Sequence, residues 1–378
     1  MFSGLESRLT KQKVALLYQA LPPPQIGGLR KDAKPGGYSD SGADIAYALR
    51  RRGFQVVTPR ADADPAQAME WVYPDTDDGI AAALAAGATV LWANTVLFAA
   101  HPLTRVLERC WIVGQSPATV QLGDDKFATN ARLRTAGLPV AMSLLVGRDA
   151  GAERHALAEL TPARLAEWSL AFPVVVKPVR GRGSQGVSVA RDFSEFCAAV
   201  EALITSGAFG DTVMVERFLP GEELTVTVMP AGSPDSRGEI ATAPWALPPV
   251  RRFNHQDGIA PYNGAVAVTQ NSRALDPGEA GEVAVRALHI ACERAAVLVG
   301  ARAPIRIDCR LDAGGVYQLF DLNLKPNMTG AGRPGREDQD SLSAIAARAV
   351  GWSYADLLLA MLGGAWRETP DGVVRILD

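Results

Sequence analysis

Residues 303–330 read APIRIDCRLDAGGVYQLFDLNLKPNMTG, and no other stretch narrows the fold as far. Two alternating runs flank a turn at Asp312, Ala313, Gly314 and Gly315, which predicts an antiparallel hairpin. Side chains alternate along a strand, so Ile305, Ile307, Cys309 and Leu311 are expected on one face. Arg306, Asp308 and Arg310 then take the other. In the second run Phe320, Leu322 and Leu324 form the expected core face, with Asp321, Asn323 and Lys325 opposite. Packing both apolar faces on one core gathers Arg306, Asp308, Asp321, Asn323 and Lys325 on a single surface. Two carboxylates and an amide oxygen beside cations suit Mg²⁺, a hard ion that keeps waters and shares substrate phosphates. A solvent-facing hairpin with exposed ion pairs carries the same pattern, so the remaining stretches decide between them.

At 378 residues the chain is long enough for two or three packed domains. A net charge of −3 gives no electrostatic footprint for nucleic acid or an acidic membrane. Arg greatly outnumbers Lys, which makes the position of each lysine informative. Cys110, Cys197, Cys292 and Cys309 are widely spaced without a Cys-x-x-Cys pair, which argues against zinc and against a disulfide framework. Reduced thiols in a cytoplasmic enzyme account for them. The opening MFSGLESRLTKQK is charged and is not a secretory signal. Residues 81–100 lack charge but contain Gly87 and Asn94; they predict a helix ending near Gly87 and a buried strand over 89–93, not a membrane span.

Taken in order, residues 13–19 form an apolar run suited to a buried parallel strand, followed by a loop rich in Pro and Gly to about residue 41. A helix over 40–52 with a capping Ser or Asp and a strand over 54–58 come next. This alternation predicts an open α/β domain to about residue 115, with ligands beyond the carboxyl ends of its strands. The loop GGYSDSGAD at 36–44 is then either a substrate edge or a surface loop with a helix cap. Helices are expected over 124–135 and 161–169. Residues 172–192, FPVVVKPVRGRGSQGVSVARD, place Lys177 on a strand before Gly181-x-Gly183-x-x-Gly186. Residues 187–190 alternate like a second strand, so the loop joins two antiparallel strands instead of opening a Rossmann helix. It is either a plain hairpin or a cover over phosphates whose glycines admit close backbone approach. A Walker A loop is excluded, since the chain has no Gly-Lys dipeptide. Residues 213–229, VMVERFLPGEELTVTVM, give two strands around Pro220-Gly221, with Glu223, Thr225 and Thr227 sharing a face. Residues 231–276 read as a long loop, 275–300 as an amphipathic helix, and 341–350 and 354–362 as helices.

FPVVVKP with its Gly/Ser loop, VERFLPGEE, and RID…FDLNLKPNMT resemble, in that order and spacing, the ATP-grasp superfamily and its D-alanine–D-alanine ligase-like branch. The resemblance spans roughly residues 116–330 and is weaker over 13–115. It implies an α/β chain with an α+β C-terminal part: an N-terminal open α/β domain (1–115), a central ATP-grasp lid subdomain (116–211) and a C-terminal catalytic subdomain (212–378). It further implies that Lys126, Lys177 and Ser184 hold the phosphates of ATP, that Glu216 and the backbone near Leu219 meet adenine, and that Glu223 meets the ribose. Asp308, Asp321 and Asn323 resemble ligands for two Mg²⁺ ions. Arg306, with N–H groups near Asn327 and Met328, resembles the group that stabilises charge at the reacting centre. The implied chemistry is ADP-forming ligation of a small-molecule carboxylate and an amine through an acyl phosphate, and dimerisation is expected from the same resemblance. Asp321 in place of a usual Glu, Gly183 beside Ser184, the loop GGYSDSGAD and LysProAsn at 325–327 depart from the D-Ala ligase pattern. They point to other amino-acid-like or acidic substrates. Arg333 and Arg336 either grip a substrate carboxylate or pair with Glu337 and Asp338, and His255 is either a lid residue reaching the substrate or a surface histidine. A phosphotransferase and a non-catalytic ATP-binding regulatory protein are the competing functions.

Overall fold

Val14, Ala15, Leu16 and Leu17 are fully buried on the strand Lys13–Tyr18, around which a seven-stranded sheet is built. The computed structural model describes residues 3–26, 29–30, 37–181, 185–255, 268–372 and 374–377. Lys13–Tyr18 runs parallel to Gln55–Val56, Val72–Pro74 and Val90–Asn94, and the last pairs in parallel with Trp111–Val113. This is the parallel α/β layout expected, covered by the helices Ser39–Arg51 and Asp77–Ala85. The first of these helices has no Ser or Asp cap: Tyr38 stands at the cap position with φ 66° and makes no side-chain capping bond. Two short strands missed in the sequence, Trp366–Glu368 and Val374–Ile376, extend the sheet antiparallel from Trp111–Val113.

The second sheet contains Val174–Pro178, paired antiparallel with Ser188–Ala190 and with Thr212–Arg217. The Gly-rich loop therefore joins two antiparallel strands, as expected; Gly183 and Ser184 lie outside the described residues. Thr212–Arg217, assigned in sequence to the start of the C-terminal unit, is hydrogen-bonded into this middle sheet and pairs on with Ser143–Gly147.

The third sheet has the order Ser272–Ala274, Val250–Arg252, Glu223–Met229, Ile305–Leu311, Tyr317–Asn323, with Trp245–Ala246 beside Glu223–Met229. The structureless span expected over 231–276 thus supplies three short strands and the helix Val268–Asn271. Runs of two or three residues carry no readable alternation; ladder partners make them strands. The expected helix over 275–300 divides into Pro277–Ala280 and Val283–Val299. No single helix among the described residues is long and apolar enough to cross a membrane.

The predicted hairpin forms, with one correction. Asp308 pairs with Asp321, but Cys309 pairs with Leu319, so Phe320 is an extra residue in a bulge. The bulge flips the alternation: Tyr317, Leu319 and Leu322 are buried, and Phe320 leaves the core face expected for it. Ile305, Ile307 and Cys309 are buried as expected.

Candidate active site

The open face of the third sheet is organised in rows, because residues opposite one another across a ladder share a face. Arg252, Glu223 and Arg310 form one row. Thr225, Asp308 and Asp321 form the next, and Thr227, Arg306 and Asn323 the third. The two carboxylates predicted as a pair are thus cross-strand neighbours. Thr225 Oγ1 donates to Asp308 Oδ1 at 2.7 Å, and Arg306 Nε lies 3.3 Å from the same oxygen. Asn323 Oδ1 accepts from the Lys325 backbone N–H at 2.9 Å, which orients its amide at the edge of the pair.

Two lysines reach this face from other elements. Lys126 opens the helix Lys126–Thr135, whose cap Asp125 accepts from Ala128 N–H at 2.9 Å, and its ammonium bonds Asp321 Oδ1. Burial raises the Asp321 carboxyl, but the charges of Lys126 and Lys177 outweigh it and hold the group below its ordinary value. Lys177, buried on Val174–Pro178, donates to Glu216 Oε2 at 2.7 Å and to Phe320 O at 3.3 Å. Its ammonium also lies 5.7 Å from the Phe320 ring centroid, a contact that the bulge makes available. Glu216 is buried too; burial pushes its carboxyl upward, with Lys177 opposing. Asn130 donates to Glu216 Oε1 and to Phe320 O, each at 3.4 Å. Asn130 was missed in the sequence, although it lies four residues after Lys126 on one helix face.

Glu223 is held from two sides, by Arg310 Nη2 at 3.2 Å and by His255 Nε2 at 2.9 Å. Burial raises its carboxyl, and the His255 hydrogen bond with the Arg310 charge brings it below the ordinary value. His255, read as a lid or a surface residue, thus stands against the expected ribose acid. Arg310 also donates to Leu219 O at 3.4 Å, joining the expected adenine edge to Glu223.

Arg333 and Arg336 are placed by neither of the two expected arrangements. Arg333 Nε donates to Asp44 Oδ1 at 2.7 Å and Nη2 to Asp40 Oδ1 at 2.9 Å. Arg336 forks onto both oxygens of Asp44, at 2.8 and 2.9 Å. Asp44 is fully buried on Ser39–Arg51, so both arginines tie the 329–341 loop to the first domain's helix and not to Glu337 and Asp338. The reason is proximity: a Cβ on Gly332 would lie 2.4 Å from Asp44 O, so the loop backbone rests on the helix itself. Asn327 turns inward locally, accepting from Thr329 N–H at 3.1 Å and Thr329 Oγ1 at 2.7 Å. Lys325 reaches the first sheet, donating to Asn94 Oδ1 at 2.9 Å with its ammonium 4.3 Å from the Tyr38 ring centroid.

Lys126, Lys177, Glu216, Asp308 and Asp321 are therefore brought together, with Arg306 and Asn323 alongside and Glu223 one row away. No group of three or more His, Cys, Asp and Glu among the described residues forms a metal cage. Two opposed carboxylates and an amide oxygen instead fit an ion that completes its shell with substrate oxygens and water.

The family model described as D-ala D-ala ligase C-terminus matches residues 133–363. The D-alanine–D-alanine ligase of Mannheimia succiniciproducens is 29% identical over 244 residues, covering 65% of this chain and 68% of that protein. That of Bordetella pertussis is 29% identical over 252 residues, covering 67% and 69%. Among solved structures, the Bacillus anthracis D-alanine–D-alanine ligase complexed with ATP superposes with a TM-score of 0.60 at 15% identity, covering 93% of this chain and 95% of that one. The VanG D-Ala:D-Ser ligase of Enterococcus faecalis gives 0.60 at 14% identity, covering 93% and 98%.

Proposed function

The chain belongs to the D-ala D-ala ligase C-terminal family and is an ATP-grasp ligase that forms a carbon–nitrogen bond; on that premise we propose that it joins two amino-acid-like substrates other than a pair of D-alanines, at the expense of ATP cleaved to ADP and phosphate. The observation that carries the reading is the convergence of Lys126, Lys177 and Arg306 on the row of Asp308 and Asp321.

Phosphoryl transfer asks a protein for alignment and charge neutralisation and little covalent work. Lys126 and Lys177 hold the phosphates, and Ser184 of the Gly-rich loop, which lies outside the described residues, is assigned to them by the family resemblance alone. The edge at Glu216 and Leu219 takes adenine, and Glu223, oriented by Arg310 and His255, takes the ribose. Asp308, Asp321 and Asn323 would hold Mg²⁺, which would supply charge screening for the phosphates. The donor carboxylate attacks the γ-phosphorus; the bond to ADP breaks and an acyl phosphate forms. The acceptor amine then attacks the acyl carbon, phosphate leaves with the bonding pair, and the amine loses a proton. Arg306 faces the oxyanion of that second step as a fixed cation.

Substrates other than D-alanine are favoured by the residues where the first domain meets the hairpin. Lys325, held by Asn94 and against the Tyr38 ring, sets a cation there, whereas Arg333 and Arg336 are taken up by Asp44 and carry no part of this argument. The D-alanine–D-alanine ligase and the D-Ala:D-Ser ligase superpose equally well, so the fold itself does not choose the acceptor. The test is ADP release from Mg-ATP across a panel of amino acids, singly and in pairs, with mass spectrometry of the products. The proposal expects turnover that needs two partners, an amide product, and a preferred pair that is not D-Ala with D-Ala. A phosphorylated product without an amide identifies a phosphotransferase instead.

A further inference from the structure

Arg252 carries a charge that none of these roles uses. It closes the strand Val250–Arg252 opposite Glu223, on the face that also holds Thr225, Asp308 and Arg310. The residue is 6% exposed, and neither Nε nor Nη2 has a hydrogen-bond partner among the described residues. The acids of the site already have cations: Glu223 has Arg310, Asp308 has Arg306, Asp321 has Lys126 and Glu216 has Lys177. A buried guanidinium without hydrogen bonds is costly and persists where something other than folding requires it. Burial draws its pKa below the usual arginine value, with the charges of Asp308 and Glu223 opposing.

Nε–H and Nη2–H lie along one edge of the guanidinium, the edge that meets two oxygens of a carboxylate or phosphate side-on. The strand order places Arg252 on one side of Glu223–Met229 and the hairpin, with Lys126 and Lys177, on the other. We propose that Arg252 binds an oxyanion arriving with the substrates, either the terminal phosphate of ATP or an amino-acid carboxylate, lying over the centre of this face. The assignment rests on the ligase reading for the source of the anion.

Arg252→Met and Arg252→Lys in the full-length protein separate the sources. Calorimetric titration with a non-hydrolysable Mg-ATP analogue, with Mg-ADP and with the amino-acid panel reads binding without turnover. If the anion is the terminal phosphate, Arg252→Met weakens the ATP analogue at least about tenfold and leaves ADP within about twofold. If it is a carboxylate, both nucleotides bind unchanged and one amino acid weakens by about the same factor. In either case Arg252→Lys, which keeps the charge but not the side-on pair, retains part of the affinity, and Arg252→Met unfolds at a higher temperature than the parent. Unchanged affinity for all three ligands overturns the proposal, whichever way the unfolding temperature moves. Should Arg252→Met not fold, Arg252→Lys decides alone: an intermediate loss supports the proposal and unchanged affinities overturn it. The ligase reading fails separately, when no substrate pair yields an amide.

Discussion

Lys177 and Glu216, 2.7 Å apart on adjacent antiparallel strands, form an ion pair with both side chains buried. Lys177→Met leaves Glu216 without its cation, at a cost of about 3–5 kcal/mol in urea unfolding. Lys177→Met combined with Glu216→Leu restores most of that loss, because an apolar pair carries no desolvation penalty. ADP release is abolished in both variants, since Lys177 also serves the phosphates.

Asp308→Ala is expected to abolish ADP release; Thr225, fully buried, loses its acceptor and Arg306 its carboxylate, so urea unfolding is measured alongside to show that the variant is folded. Removing divalent cations with a chelator should stop turnover of the parent protein as well, and excess Mg²⁺ should restore it. Turnover that persists through chelation would exclude the metal role of Asp308, Asp321 and Asn323.

The Arg333–Asp44–Arg336 cluster predicts a stability effect at two arginines whose expected partners are a substrate carboxylate or Glu337 and Asp338. Asp44→Ala leaves the buried Arg333 with the exposed Asp40 as its remaining carboxylate and removes the forked contact of Arg336, at a cost of about 3 kcal/mol by urea unfolding. Arg336→Lys loses the two-pronged contact but keeps the charge, and costs less. A KM effect of Arg336→Lys without a shift in unfolding would return Arg336 to the substrate.

Asp75 predicts how stability responds to acid. Burial raises its carboxyl, but bonds from His101, Thr95 and the backbone N–H groups of Leu21 and Ala20 outweigh it, so its folded pKa is lowered. Its stabilisation is complete above the unfolded carboxylate value, near pH 4, and is lost as pH falls through the lower folded value. Unfolding free energies of Asp75→Asn against the parent should therefore differ most at neutral pH, with the difference shrinking as pH falls below the unfolded carboxylate value of about 4.

Lys325→Ala should alter which amino acids are joined. The expected result is a KM for one partner raised by about tenfold to a hundredfold, with unfolding little changed. Equal KM values for every partner would separate Lys325 from substrate choice.

Much of this site was legible in the sequence because strand alternation is a strict period. Arg306, Asp308, Arg310 and Asp321 share a face as alternation requires, and Glu223 and Thr225 join them from a strand whose residues alternate in the same way. Phe320 was misplaced because a bulge adds one residue without changing composition, and only ladder pairing reveals it. Arg252 was not legible at all: its strand is three residues long inside a stretch that reads as a loop. The partners of Arg333 and Arg336 lie almost three hundred residues away in the chain, and charge patterning carries no signal over that distance.

The strands Trp366–Glu368 and Val374–Ile376 complete a sheet whose first strand is Lys13–Tyr18. During synthesis, Trp111–Val113 emerges long before its antiparallel neighbour and presents an uncovered edge while some 250 further residues are made. At roughly 5–20 residues per second, that edge stands open for tens of seconds. In this interval the nascent chain carries an edge open to wrong strand pairing, and the sheet is complete only once Trp366–Glu368 and Val374–Ile376 have been made.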